Sequence, residues 1–258
     1  MKKCAFCPVE SVKLTGEHIW DDWLNRELPT KDYRVRHKPS ISSDDLQWQA
    51  NRLKLKAPVA CAACNNEWMS RLTESVKAGF RDAILHGAEL SILRSGSAVL
   101  AAYVFLKAAA IDYAYPDSDG PFFSRAVRES LRKSLAIPPM TQIWLCAFQG
   151  KARYSGRCFL GHVEAVDKGP SAGLQWFTFT YVVGHLVLQL LVPRWKDIRY
   201  RGRALPLLKP DPYWDQAAIR IWPITSNYVS WPPPKYFGDD MIGSFIDRFK
   251  LPIRMRVA

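Results

Sequence analysis

Two Cys-x-x-Cys pairs constrain this chain more than any other feature. Cys4-Ala5-Phe6-Cys7 opens it, and Cys61-Ala62-Ala63-Cys64 runs directly into Asn65-Asn66. A two-residue spacer lets both thiolates of a knuckle converge, and two such knuckles supply the four tetrahedral ligands of a structural Zn²⁺ site. The pairs are far apart for a zinc ribbon, whose knuckles are usually ~15–20 residues from each other. Here 53 residues lie between Cys7 and Cys61. A metal held by Cys4, Cys7, Cys61 and Cys64 would close a long excursion and remove much freedom from the unfolded chain. Structural zinc in small finger peptides contributes an apparent ~10–16 kcal/mol. Four thiolates leave no open position, so this zinc is expected to be structural.

The excursion carries the chemistry. It holds Glu17-His18, a carboxylate beside an imidazole, and the second knuckle leads into asparagine at the start of a helix. The chain has 36 Lys+Arg against 24 Asp+Glu, a formal +12, which favours polyanionic partners such as nucleic acid. Hydrophobic residues at 48% and aromatics at 12% exclude wholesale disorder. No secretory signal is read at the N-terminus. The longest apolar run, Ala98 to Leu106, stops at Lys107, far short of the ~20 residues of a membrane span. The expectation is a cytoplasmic protein with no membrane partner, in which paired cysteines hold metal rather than form disulfides. Cys146 and Cys158 read as buried thiols.

Periodicity predicts an α+β protein in three parts. Residues 1–88 form a zinc-stapled unit, 89–138 a helical connector and 139–258 a β-rich accessory part with a closing helix. Thr15 is read as the cap of a short helix carrying Trp20, Trp23, Leu24 and Leu28 on one face. Residues 33–38 and 53–56 read as two strands, each with one basic side, joined by a turn-like segment around Ser42–Asp45. Trp68, Leu72, Val76, Phe80 and Ile84 recur every fourth residue, which predicts a helix from about Asn65 to His86 stopped by Gly87. Further helices are expected at 97–115 and from Ser124. Strands are expected at 142–148, 154–163, 174–182, 185–191 and 218–222, before a last helix through Met241, Phe245 and Phe249. The tryptophans of the β-rich part are read as core residues.

A first Cys-x-x-Cys, then Leu14-Thr15-Gly16-Glu17-His18-Ile19-Trp20, then Cys64-Asn65-Asn66-Glu67-Trp68-Met69-Ser70 resembles the zinc-stapled branch of the HNH endonuclease family, over about residues 4–86. The resemblance implies a ββα-metal module, a hairpin packed on a helix with the active site between them, and a metal-dependent hydrolase cutting phosphodiester bonds of nucleic acid, DNA favoured over RNA. His18 matches the general base, a role suited to an imidazole with a pKa near ~6.5. Glu17 and Asn65 match ligands of a catalytic divalent ion, with Asn66 or Glu74 completing the shell. Hard oxygen donors suit Mg²⁺ or Mn²⁺. Asp21 stands where the family often has proline. Paired as a hairpin, the two basic strands would present Arg34, Arg36, Lys38, Lys54 and Lys56 to phosphates. The alternative is a non-catalytic zinc module that binds nucleic acid or a protein partner.

Overall fold

A computed structural model of the chain describes residues 3–10, 12–28, 33–37, 46–50, 55–116, 120–151, 154–164, 173–195 and 212–249. Within 33–37, 46–50 and 154–164 it describes the strand backbone alone. The protein is α+β, as expected. It divides into two compact units: residues 1–81 with 99–138, and residues 82–98 with 139–258.

The first unit begins with strand β1 (Leu14–His18), helix α1 (Asp22–Glu27), strands β2 (Tyr33–His37) and β3 (Leu46–Ala50), and strand β4 (Lys56–Cys61). β1 and β4 pair antiparallel, with Leu14 opposite Cys61 and His18 opposite Lys56. The stretch expected to form a helix capped by Thr15 is therefore a strand as far as His18. The Thr15 hydroxyl donates to the Ala60 carbonyl across the ladder, at 2.9 Å, instead of capping a helix. The helix starts only at Asp22, yet the apolar face read from the sequence is real: Trp20, Trp23, Leu24 and Leu28 are all buried.

The expected pairing of 33–38 with 53–56 is also corrected. β2 pairs with β3, placing Val35 opposite Trp48 and Arg34 opposite Gln49. The shorter loop from His37 to Leu46 closes at a lower entropic cost than one reaching Leu53. Lys56 instead opens β4, whose Ala57, Val59 and Ala60 are fully buried. Residues 38–45 and 51–54, and with them Lys38, Lys54 and the Ser42–Asp45 turn, lie outside the described residues.

Beyond β4 the chain is helical: α2 (Ala62–Cys64), a π-helical stretch (Asn65–Met69) and α3 (Ser70–His86). Trp68, Leu72, Val76, Phe80 and Ile84 are buried, and Gly87 ends the run in the left-handed region with φ 69°. Helix α4 (Arg94–Ala114) follows, then α5 (Arg125–Ser134), with the Ser124 hydroxyl accepting from the Val127 N–H as its cap. By length and hydropathy α4 could cross a membrane, but 72% of the qualifying window is buried within the protein. Every residue from Ala101 to Ala110 is buried, which is the environment of a core helix. The loop between α4 and α5 is pinned by Asp112, whose carboxylate accepts the N–H groups of Phe122 and Phe123, both at 2.9 Å.

The second unit adds strand β5 (Leu90–Leu93), then β6 (Gln142–Phe148), β7 (Tyr154–Glu164), β8 (Gly173–Val183), β9 (Leu186–Trp195), β10 (Ala218–Trp222), β11 (Tyr228–Trp231) and β12 (Tyr236–Phe237). Its main sheet runs β10-β6-β9-β8-β7, antiparallel throughout, with β12 joining β6 in parallel. β5 and β11 form a separate antiparallel pair. Leu186 to Pro193 of β9 are all buried, so this central strand is covered on both faces. One face packs Trp144, Trp176 and Trp214 against Phe237, Phe245 and Phe249 around helix α6 (Ile242–Asp247). Core packing is thus the role of these tryptophans, and Trp231 is buried as well.

Candidate functional site

The four cysteines of the two knuckles converge, although they come from opposite ends of the 53-residue excursion. All are buried, and their sulfurs lie within 4.8 Å of one another. Cys7 Sγ and Cys61 Sγ are 3.7 Å apart. A tetrahedron with Zn–S arms of ~2.3 Å has edges of roughly 3.8 Å, so the spacing suits four thiolates around one ion. The cluster could hold a metal ion such as zinc. Backbone N–H of Cys61 points at Cys4 Sγ, 3.4 Å away. A hydrogen bond from Cys64 holds the Cys4 thiol below the ordinary cysteine range. Burial pushes the Cys7 thiol up, because a thiolate loses its hydration there.

Several contacts set the first knuckle in place. Ala5 N–H donates to the Val59 carbonyl at 2.8 Å, tying it to β4. Phe6 meets the Trp68 ring edge-on, with centroids 5.5 Å apart. From α5, the buried Arg128 donates to the carbonyls of Ala5 and Phe123, and Arg125 reaches the Cys7 carbonyl. These cations anchor carbonyls that a two-residue knuckle cannot satisfy itself.

At the opposite end of β1 lies a second polar centre. β1 runs four steps from Leu14, at the Cys61 level, to His18, at the Lys56 level. At ~3.3 Å per residue this is roughly 13 Å along the strand. Glu17 is buried, 5% exposed, and so is Asp21, 6% exposed, on the turn into α1. Between them sits Lys107 of α4, fully buried. Its ammonium donates to Glu17 Oε1 at 2.6 Å, to the His18 carbonyl at 2.7 Å and to Asp21 Oδ1 at 2.7 Å. The second oxygen of Asp21 accepts from the Tyr103 hydroxyl at 2.5 Å. Asp21 occupies the N-cap position of α1, but it makes no side-chain cap to the helix and turns to Lys107 instead.

The charge states follow from this cage. Burial opposes the Lys107 charge, but the Asp21 and Glu17 carboxylates outweigh it and hold the ammonium above the ordinary lysine value. Burial pushes the Glu17 carboxyl up, against the pull of Lys107. His18, half-buried, is pushed below the ordinary histidine value by burial first and by Lys56 second, so its imidazole is neutral near pH 7. Its Nδ1 is buried and makes no hydrogen bond.

Of the residues expected to share a catalytic ion, Glu17 and His18 are neighbours on β1. Asn65 is half-buried in the π-helical stretch one residue past the second knuckle, and Asn66 and Glu74 are exposed on the same helical run. Lys56 is exposed, directly opposite His18. Arg34 and Arg36 fall on β2, described by its backbone. Lys107 and Tyr103 were not foreseen as part of this centre. The available signal was a single lysine inside an otherwise apolar helical run, which in a buried helix demands a counter-charge.

No family model, no curated protein and no solved structure matches this chain.

Proposed function

We propose that the first unit is a zinc-stapled, HNH-like module that acts on phosphodiester bonds of nucleic acid, with DNA favoured. In this reading Cys4, Cys7, Cys61 and Cys64 hold a structural Zn²⁺ that brings the hairpin and the helix together. The observation that carries the proposal is His18: a half-buried imidazole kept neutral near pH 7, at the end of the strand that begins beside the cysteine cluster. Such a group can take the proton of a water molecule. The water oxygen then bonds to phosphorus, the bond from phosphorus to the 3′ oxygen breaks, and the departing oxygen takes a proton from solvent. In this reading Lys56, across the ladder from His18, pairs with the phosphate.

The family's divalent ion would need Glu17 as a ligand, and here the donor set does not fit. The Glu17 carboxylate is buried and engaged by Lys107. Asn65 and Asn66 alone supply two neutral amides, too weak a set for Mg²⁺ or Mn²⁺. No step is therefore assigned to such an ion. The same engagement of Glu17 favours a second reading, a zinc module that binds nucleic acid without cutting it.

The two readings separate in one experiment. Zinc-loaded protein and a His18→Ala variant are incubated with plasmid and with single-stranded DNA, with and without added Mg²⁺. Cleavage that disappears in the variant supports the first reading. Salt-dependent binding that is equal in both proteins, with no cleavage in either, supports the second, and neither cleavage nor binding overturns both.

A further inference from the structure

The centre beneath His18 carries its own cation. Lys107 offers three N–H donors, and all three are used: Glu17 Oε1 at 2.6 Å, the His18 carbonyl at 2.7 Å and Asp21 Oδ1 at 2.7 Å. Tyr103 takes up the remaining Asp21 oxygen, so the cage has no free corner on that side. Its dimensions suit an ammonium. Magnesium requires oxygens at ~2.0–2.1 Å in an octahedron and keeps several waters. Here three protein oxygens stand at ammonium distances around an atom with no exposure to solvent. Asp21 is the residue that distinguishes this cage, because proline, frequent at its position in the family this chain resembles, could supply no second carboxylate.

We propose that Lys107 is the resident cation of the Glu17–His18 strand end, and that this site takes no Mg²⁺ or Mn²⁺. Lys107 is a positioning residue. By bonding the His18 carbonyl and the Glu17 carboxylate together, it fixes the backbone from which the imidazole projects. The inference rests on the nuclease reading for what His18 does, but its test does not depend on cleavage.

The test is a titration of the zinc-loaded full chain with Mn²⁺, followed by the electron paramagnetic resonance signal of the free aqua ion. The wild-type chain is expected to take up no stoichiometric Mn²⁺. Lys107→Ala vacates the cage and leaves two carboxylates and a carbonyl, so it should gain one site, and adding Glu17→Gln to that variant should abolish it. One Mn²⁺ bound by the wild type and lost on Glu17→Gln overturns the proposal, as does a folded Lys107→Ala that gains no site. If Lys107→Ala does not fold, the wild-type titration beside Glu17→Gln decides alone. Absence of cleavage by any variant would sink the nuclease reading and leave this result standing.

Discussion

Lys107 Nζ lies 2.7 Å from Asp21 Oδ1, and neither side chain has more than 8% of its surface open to solvent. Removing one partner of a buried ion pair leaves an uncompensated charge, typically at a cost of ~3–5 kcal/mol. Lys107→Met, which keeps the stem and deletes the charge, is expected to lower stability by about that amount at pH 7. Denaturant unfolding followed by circular dichroism measures it, and a loss under ~1 kcal/mol would show that the pair is not structural. The pH dependence has a definite sign. The folded Lys107 pKa is raised, so its contribution is complete below the ordinary lysine value and is lost as pH rises through the higher folded value. Lys107→Met should lack that alkaline limb. Its deficit should shrink in acid, where the stranded Glu17, already pushed up by burial, can protonate.

The tight connection between β8 and β9 yields a prediction in the second unit. Gly184 has φ 57°, and a Cβ there would collide with the Ile84 carbonyl, which also accepts the His185 N–H at 2.9 Å. Left-handed backbone costs an L-residue ~1–2 kcal/mol, and the clash with main chain adds to it. Gly184→Ala is therefore expected to destabilise by at least ~2 kcal/mol, read as a lower unfolding midpoint. An unchanged midpoint would mean that the turn relaxes freely.

Much of this fold could be read from residue patterns because the signals were long. The four-residue recurrence from Trp68 to Ile84 is sustained over a full helix, and β6 and β9 carry long apolar runs. The failures occurred where tertiary partners outweighed local preference. Thr15-Gly16-Glu17-His18 looks like the start of a helix, yet β4 offers it a ladder and Lys107 offers Glu17 a counter-charge. The partner of β2 was misassigned although Leu46-Gln47-Trp48-Gln49-Ala50 alternates apolar and polar residues and needs the shorter connection, because the basic alternation of Leu53-Lys54-Leu55-Lys56 matched that of β2 more closely. The cysteine cluster was legible from spacing alone. The Lys107 cage was not, since it joins residues some 90 positions apart.

Cys61→Ser removes one of four sulfurs while keeping the Cys61 backbone N–H that points at Cys4 Sγ. Three thiolates and a hydroxyl bind zinc far more weakly than four thiolates. The wild-type chain is expected to carry one equivalent of zinc by elemental analysis and the variant much less than one. A membrane-permeant or soluble chelator should lower the unfolding temperature of the wild type and have little effect on the variant. Full zinc occupancy in Cys61→Ser would remove the metal from the account of this unit.

His18 provides the most discriminating titration. Burial and the nearby Lys56 charge depress its pKa below the ordinary ~6.5. The neutral imidazole, the form that can accept a proton, therefore dominates through the neutral range and is lost only as pH falls below the ordinary histidine value. Folding stability shares that sign: with a depressed folded pKa, the unfolded chain binds the proton first, so stability declines as pH drops from about 6.5 through the folded value. Lys56→Ala takes away one cationic neighbour, and the midpoint should move back toward the ordinary value without reaching it, because burial remains. Histidine ring resonances followed by NMR give both midpoints without any need for catalytic turnover. Cleavage, where it occurs, should rise with pH along the same curve and shift with it in Lys56→Ala. A wild-type midpoint at or above 6.5, or one indifferent to Lys56, would mean that His18 stands in water and lacks the environment a poised base requires.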